Sequence, residues 1–236
     1  SLKDRKMKFG VITFPGSNCD QDMIYVLKDI LGQEVEELWH KDTDLKGCDA
    51  IVLPGGFSYG DYLRSGAIAR FSPVMTAVIE HANNGGFVLG VCNGFQILCE
   101  SGLLPGALLH NNNQKFICKN VYLKPESNSA KLTEHLDQNR AYKIPIAHGE
   151  GRFHASDAVI KELNDNDQVL FRYCDADGTV NADSNPNGAL ENIAGIRNKA
   201  KNVFGMMPHP ERAADSNLNN VDGKAIFESW LGLVTA

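Results

Sequence analysis

No Cys-x-x-Cys pair occurs in this chain, although it carries six cysteines, at positions 19, 48, 92, 99, 118 and 174. No short His/Cys cluster has zinc-ligand spacing either, so a metal in this chain is not expected. At 236 residues the chain is too large to need disulfides for stability. Lys and Arg (23) are outnumbered by Asp and Glu (29), the net charge is −6, and no basic stripe gathers the cations on one segment. A nucleic-acid partner is therefore set aside. The longest apolar runs fall far short of a membrane span, and the start, Ser1-Leu2-Lys3-Asp4-Arg5-Lys6, is polar and unlike a signal peptide. The expectation is a cytoplasmic protein with reduced thiols. Met7 reads as the natural start and residues 1–6 as an added remnant or a disordered end. Internal repeats, low-complexity tracts and linkers are also missing, so residues 1–236 read as one domain.

What is present is a globular balance, 43% hydrophobic and 22% charged residues. The first hundred residues alternate two periodicities. Lys8–Phe14, Val35–Trp39, Ala50–Leu53 and Phe87–Val91 are short apolar runs stopped by turn residues, and read as buried strands. Asn18–Leu31, Pro73–Asn83 and Asn93–Ser101 have helical spacing, the first with Gly32 as a cap. Such alternation predicts an α/β fold: an open, mostly parallel sheet flanked by helices. Residues 107–124 and 142–153 read as strands with no helix between them, which predicts an antiparallel extension. Leu123–Asn139 reads as a polar loop region. Val169–Tyr173, Ile193–Arg197 and Val203–Met207 read as further strands, and Ala225–Leu233 as a closing helix.

Three segments carry chemistry. Gly90-Val91-Cys92-Asn93-Gly94 has the form of a nucleophile elbow with cysteine as nucleophile. A strand must turn sharply into a helix, and glycines two residues either side let the two pack closely. A sulfur at a helix N-terminus meets the positive end of the dipole, which favours its negative form. Alone, the pentapeptide fits a buried structural cysteine equally well. Met207-Pro208-His209-Pro210-Glu211 follows the last expected strand. Pro210 pushes His209 toward extended geometry, in which residues two apart share a side, so Glu211 can orient the imidazole. Alone, this segment fits a rigid surface turn better. Together with Cys92 it supplies nucleophile, base and orienter at strand ends on one sheet edge. Pro54-Gly55-Gly56-Phe57-Ser58-Tyr59-Gly60-Asp61 lets main-chain N–H groups approach an oxyanion, with Asn93 as a further donor. A phosphate loop is the competing reading, but the Lys-Ser/Thr ending is missing. Among the other cysteines, Cys99 reads as core, and Cys19, which opens a helix, reads as a packing residue with mild reactivity as the alternative.

In this order, the three segments resemble the class I (triad) glutamine amidotransferases, over about Phe9 to Leu231. Phe14-Pro15-Gly16-Ser17-Asn18-Cys19-Asp20, the run from Gly55 to Arg64, Gly90–Gln96, Pro145–Gly151 and Met207–Arg212 are similar to a purine-synthesis branch of that family. The resemblance implies a flavodoxin-like fold and a glutaminase. Cys92 would be the nucleophile, His209 the base and acid, and Glu211 the orienter. Gly55, Gly56, Phe57 and Asn93 would hold the oxyanion, Gln96 would contact glutamine, and the strand of His148, Gly149 and Glu150 would hold its amino and carboxylate groups. His148 and Glu150 could instead face a partner subunit. The implied partners are L-glutamine and a synthetase subunit, with a small bridging subunit possible. No cofactor is implied in this chain, ATP and magnesium being expected on the synthetase, which would make formylglycinamidine ribonucleotide. Other synthase partners, or a cysteine peptidase-like branch of the superfamily, are the alternative enzymes, and a regulatory subunit with a relic site is the non-enzymatic one. Asn111-Asn112-Asn113-Gln114-Lys115-Phe116 departs from the family, which usually has a small residue or arginine in this stretch.

Overall fold

Strand β1 (Lys8–Thr13) is buried along most of its length, as an apolar run covered on both faces must be. In this computed structural model, which describes residues 7–17, 19–56, 72–130 and 132–234, it lies between two parallel neighbours. These are β2 (Glu34–Trp39) and β3 (Ala50–Leu53). The parallel run continues through β4 (Phe87–Val91) to β11 (Val203–Met206). Beyond β11 the sheet turns antiparallel, through β10 (Ile193–Arg197), β9 (Val169–Cys174), β6 (Ile117–Pro125) and β7 (Tyr142–His148). The nine-stranded order is β2-β1-β3-β4-β11-β10-β9-β6-β7. A second sheet pairs β5 (Ala107–Leu109) with β8 (Arg152–His154). The expected parallel sheet with an antiparallel extension is thus the architecture.

Helix α1 (Asp20–Tyr25) runs on as one π turn, Val26–Ile30, and the chain leaves it through Gly32 at φ +65°. α2 (Pro73–Asn83) and α3 (Asn93–Glu100) follow the reading closely. α4 (Asp157–Asp165) was not expected. Its start is nevertheless conventional, since the Ser156 side chain accepts a hydrogen bond from the Val159 N–H. Its buried side is only Ile160 and Leu163, too little to stand out in a polar stretch. α5 (Asp222–Val234) begins earlier than Ala225 and buries Trp230 edge-on to Phe9 and Phe204, with ring centroids 5.4 and 6.4 Å away. At its first turn a Cβ on Gly223 would lie 2.0 Å from the Pro210 carbonyl oxygen, so only glycine lets this helix seat against the residues after β11.

The polar-loop reading of Leu123–Asn139 needs correction at both levels. Leu123 to Pro125 belong to β6, and Ser127, Ala130, Leu132 and Thr133 are buried. Asp167 makes this possible by accepting hydrogen bonds from the buried Ser127 and half-buried Ser129 hydroxyls at 2.6 and 2.5 Å, so these polar side chains are satisfied. Among the described residues, no helix is long and apolar enough to cross a membrane.

Candidate active site

β4 ends at Val91, and Cys92 then adopts φ +55°, ψ −109°, a conformation that costs a non-glycine residue about 1–3 kcal/mol. The flanking glycines explain how the chain tolerates the turn. A Cβ on Gly94 would sit 1.8 Å from the Leu53 carbonyl oxygen, and one on Gly90 would sit 2.6 Å from that of Gly94. Strand and helix therefore meet backbone to backbone, and α3 starts directly behind the sulfur. Cys92 N–H donates to Met206 O at 2.8 Å, which ties the elbow to the end of β11.

The chain leaving β11 carries the candidate base, His209. Met207 N–H donates to Ala194 O at 3.0 Å and His209 N–H to Pro145 O at 2.8 Å, so β10 and β7 fix its course. His209 Nδ1 and Glu211 Oε1 are 2.6 Å apart, both side chains at 1% exposure or less. The reason differs from the one read in the sequence. His209 is near-extended (φ −102°, ψ 90°), but Glu211 lies in a 3-10 turn, Pro210–Ala213, and this turn folds the carboxylate back under the ring. Burial alone would lower the His209 pKa. Glu211, then Cys92 and Cys19, outweigh burial and hold it well above the ordinary imidazole value. Its Nε2 is buried with no hydrogen-bond partner among the described residues. Gly55 lies over both groups, since a Cβ there would be 2.7 Å from Cys92 Cβ and 3.2 Å from His209 Cε1. Nucleophile, base, orienter and glycine turn therefore come together. The Cys92 sulfur also lies 3.5 Å from Ala147 O on β7.

Four of the residues expected around substrate, Gly56, Asn93, Gln96 and Glu150, form one hydrogen-bonded chain. Gly56 N–H donates to Asn93 Oδ1 at 2.8 Å. Asn93 Nδ2 donates to Gln96 Oε1 at 3.0 Å, and Gln96 Nε2 donates to the Glu150 carbonyl and carboxylate at 3.1 and 3.2 Å. Gln96 is buried, one turn below the nucleophile. Phe57, the rest of that loop through Arg64, and Asn18 lie outside the described residues.

Asn111 was singled out only as a departure, yet it organises the β7 side of the site. Its Nδ2 donates to Lys115 O and His148 O, and its Oδ1 accepts from Gly151 N–H at 3.0 Å. Since Oδ1 can only accept, His148 Nδ1, 3.2 Å away, carries the proton and Nε2 is left as a buried lone pair with no partner among the described residues. Burial, then the charge of His209, holds the His148 pKa down to about 4. Asn111 N–H donates to Gly149 O at 2.9 Å, which completes the brace.

Arg212 and Cys19 were not read as site residues. Arg212 Nη2 donates to Cys19 Sγ at 2.9 Å. The ligand atoms of Cys19, His209 and Glu211 lie within 4.8 Å of one another, a spacing compatible with a metal. The guanidinium already places a positive charge on that sulfur, which opposes a second cation, and we assign no metal there.

Comparison with known proteins settles the class. Residues 6–233 match the CobB/CobQ-like glutamine amidotransferase domain, and the chain belongs to that family and, within it, to the PurQ subunits of phosphoribosylformylglycinamidine synthase. The PurQ subunit of Synechocystis sp. is 58% identical over 221 residues, covering 94% of this chain and 99% of that protein. That of Koribacter versatilis is 55% identical over 226 residues, covering 96% and 98%. Among solved structures, a chain of PurLQS from Thermotoga maritima superposes with a TM-score of 0.84 at 41% identity, covering 98% of this chain and all of that one. A glutamine amidotransferase from the same organism, 13% identical with a TM-score of 0.59 and covering 98% of this chain and 99% of that one, shares the fold.

Proposed function

We propose that this chain is the cytoplasmic glutaminase subunit of a phosphoribosylformylglycinamidine synthase. It hydrolyses L-glutamine through Cys92, His209 and Glu211 and passes ammonia to a synthetase subunit. The observation that carries the reading is the strained Cys92 elbow set against the buried His209–Glu211 pair. The near full-length PurQ relatives support the pathway, and the PurLQS chain supports a multi-subunit assembly.

The mechanism follows from the charges. A raised His209 pKa favours an imidazolium, which stabilises a thiolate on Cys92. The thiolate attacks the carboxamide carbon. The resulting oxyanion takes the Gly56 N–H from Asn93 Oδ1, and one such donor contributes about 3 kcal/mol to transition-state stabilisation. Collapse breaks the C–N bond while His209 gives its proton to the departing nitrogen, leaving a γ-glutamyl thioester and ammonia. His209, now neutral, takes a proton from water, whose oxygen attacks the thioester and releases glutamate. Gln96, Gly149 and Glu150 flank the substrate's far end, and His148 stays neutral beside them. Ammonia free in neutral water would be protonated and lose its nucleophilicity, so it is handed on directly. We assign the ATP and magnesium chemistry to the synthetase.

Cys92→Ala in the assembled complex should abolish glutamine-dependent synthesis and spare synthesis from ammonium salts. Loss of the ammonium-dependent reaction as well would overturn the division of labour.

A further inference from the structure

We infer that Cys19 is a positioning residue for the base: it holds the Arg212 guanidinium away from Glu211 and so keeps Glu211 on His209. The inference rests on the triad reading above.

Cys19 and Arg212 are 193 residues apart in sequence, yet the Arg212 Nη2–Cys19 Sγ contact is 2.9 Å and the cysteine is fully buried. His209, Glu211 and Arg212 sit within or beside one four-residue 3-10 turn, too short to fix its side chains through its own backbone. The weak point is the carboxylate of Glu211. Oε1 is taken by His209, while Oε2 is buried and has no partner among the described residues. A buried carboxylate oxygen attracts any nearby donor. The adjacent residue carries a planar fork suited to gripping a carboxylate with two parallel bonds. If the fork turned onto Glu211, it would compete with His209 for the same group. The Cys19 sulfur, within 4.8 Å of the Glu211 carboxylate, gives the fork an alternative acceptor in the same electrostatic cluster.

The groups facing His209 are Cys92 and Glu211, Cys19 at the start of α1 and His148 from β7, with Arg212 bonded to Cys19. Burial draws the Arg212 pKa down, but Cys19 and then Glu211 outweigh it and raise it, so the cation persists. For His209, losing Cys19 removes one of the influences that raise its pKa, and diverting Glu211 removes the largest. Both changes favour the neutral imidazole.

The test uses the intact synthase complex with Cys19→Ala and Cys19→Ser. Cys19→Ala should lower glutamine-dependent kcat roughly tenfold or more, the usual consequence of losing a hydrogen bond to a charged group, with KM for glutamine little changed. The alkaline limb of its pH–rate profile should move to lower pH. Cys19→Ser restores an acceptor and should recover most of kcat and the native limb. If Cys19 only packs, the order reverses: alanine is tolerated better than a buried hydroxyl, and neither variant moves the limb. That result overturns the inference. Cys92→Ala run in parallel separates the two levels. If it keeps glutamine-dependent activity, the triad reading fails; if it behaves as expected and Cys19→Ala is native-like, only the role of Cys19 fails.

Discussion

Replacing Gly55 with alanine would place a methyl carbon 2.7 Å from Cys92 Cβ, 3.1 Å from Val91 O and 3.2 Å from His209 Cε1. Ordinary contact begins near 3.4 Å, so the closest neighbour must retreat by about 0.7 Å. None of the three can yield cheaply: one is backbone, one is the root of a side chain on a strained turn, and the third is a ring held by Glu211. Overpacking of this kind costs about 1–3 kcal/mol, against the 5–15 kcal/mol typical of a domain, so the variant should fold. In a chain of this size the melting temperature should fall by only about 2–12 °C. Activity should suffer far more. A nucleophile displaced by the better part of an ångström from its base commonly loses about 10²-fold in rate. The assay is glutamine-dependent against ammonium-dependent turnover in the complex, with a thermal melt as control. The expected result is a hundredfold loss of the first, the second intact and the melt slightly lowered. A glutamine-dependent kcat within twofold of native would refute the reading that Gly55 packs over a reacting Cys92–His209 pair.

Asn111→Ala removes the brace of β7 and leaves the Gly151 N–H and the His148 ring without their buried acceptor; a loss of about 2–3 kcal/mol in urea denaturation is expected, with a raised KM for glutamine. His148 has a folded pKa of about 4, below the unfolded value of 6.5, so the unfolded chain binds the extra proton between them. Its contribution is intact above pH 6.5 and is lost as pH falls toward 4, and His148→Gln should flatten that part of a stability–pH curve.

The elbow was legible because its pattern is local: the glycines at 90 and 94 flank Cys92 within five consecutive residues, although the collisions that require them also involve Leu53 on β3 and Leu98 on α3. The parallel half of the sheet was legible for the same reason, each strand being a short apolar run closed by a turn. The brace was not. Asn111 acts on His148 across 37 residues and Arg212 on Cys19 across 193, and a hydrogen bond at that separation leaves no periodicity to read. Glu211 was placed correctly beside His209 for an incorrect reason, since the reach depends on a 3-10 turn and not on strand alternation. α4 escaped because its apolar side is two residues wide. The buried Ser127 and half-buried Ser129 required Asp167 from another part of the chain.

The seat of β11 between β4 and β10 has a consequence for the order in which the molecule comes into being. A ribosome completes Cys92 and its elbow long before it reaches residue 203. Until then the elbow lacks the Met206 carbonyl that anchors it, and no imidazole lies beside the sulfur. The strand must slot into the middle of the sheet, and the turn it carries is then locked by α5, where Gly223 closes on Pro210. Non-local closure of this sort is slow and comes late in folding. A growing chain that has not yet reached β11 therefore carries a thiol but no glutaminase, and hydrolytic power is switched on only when β11 and the turn after it have been made and seated.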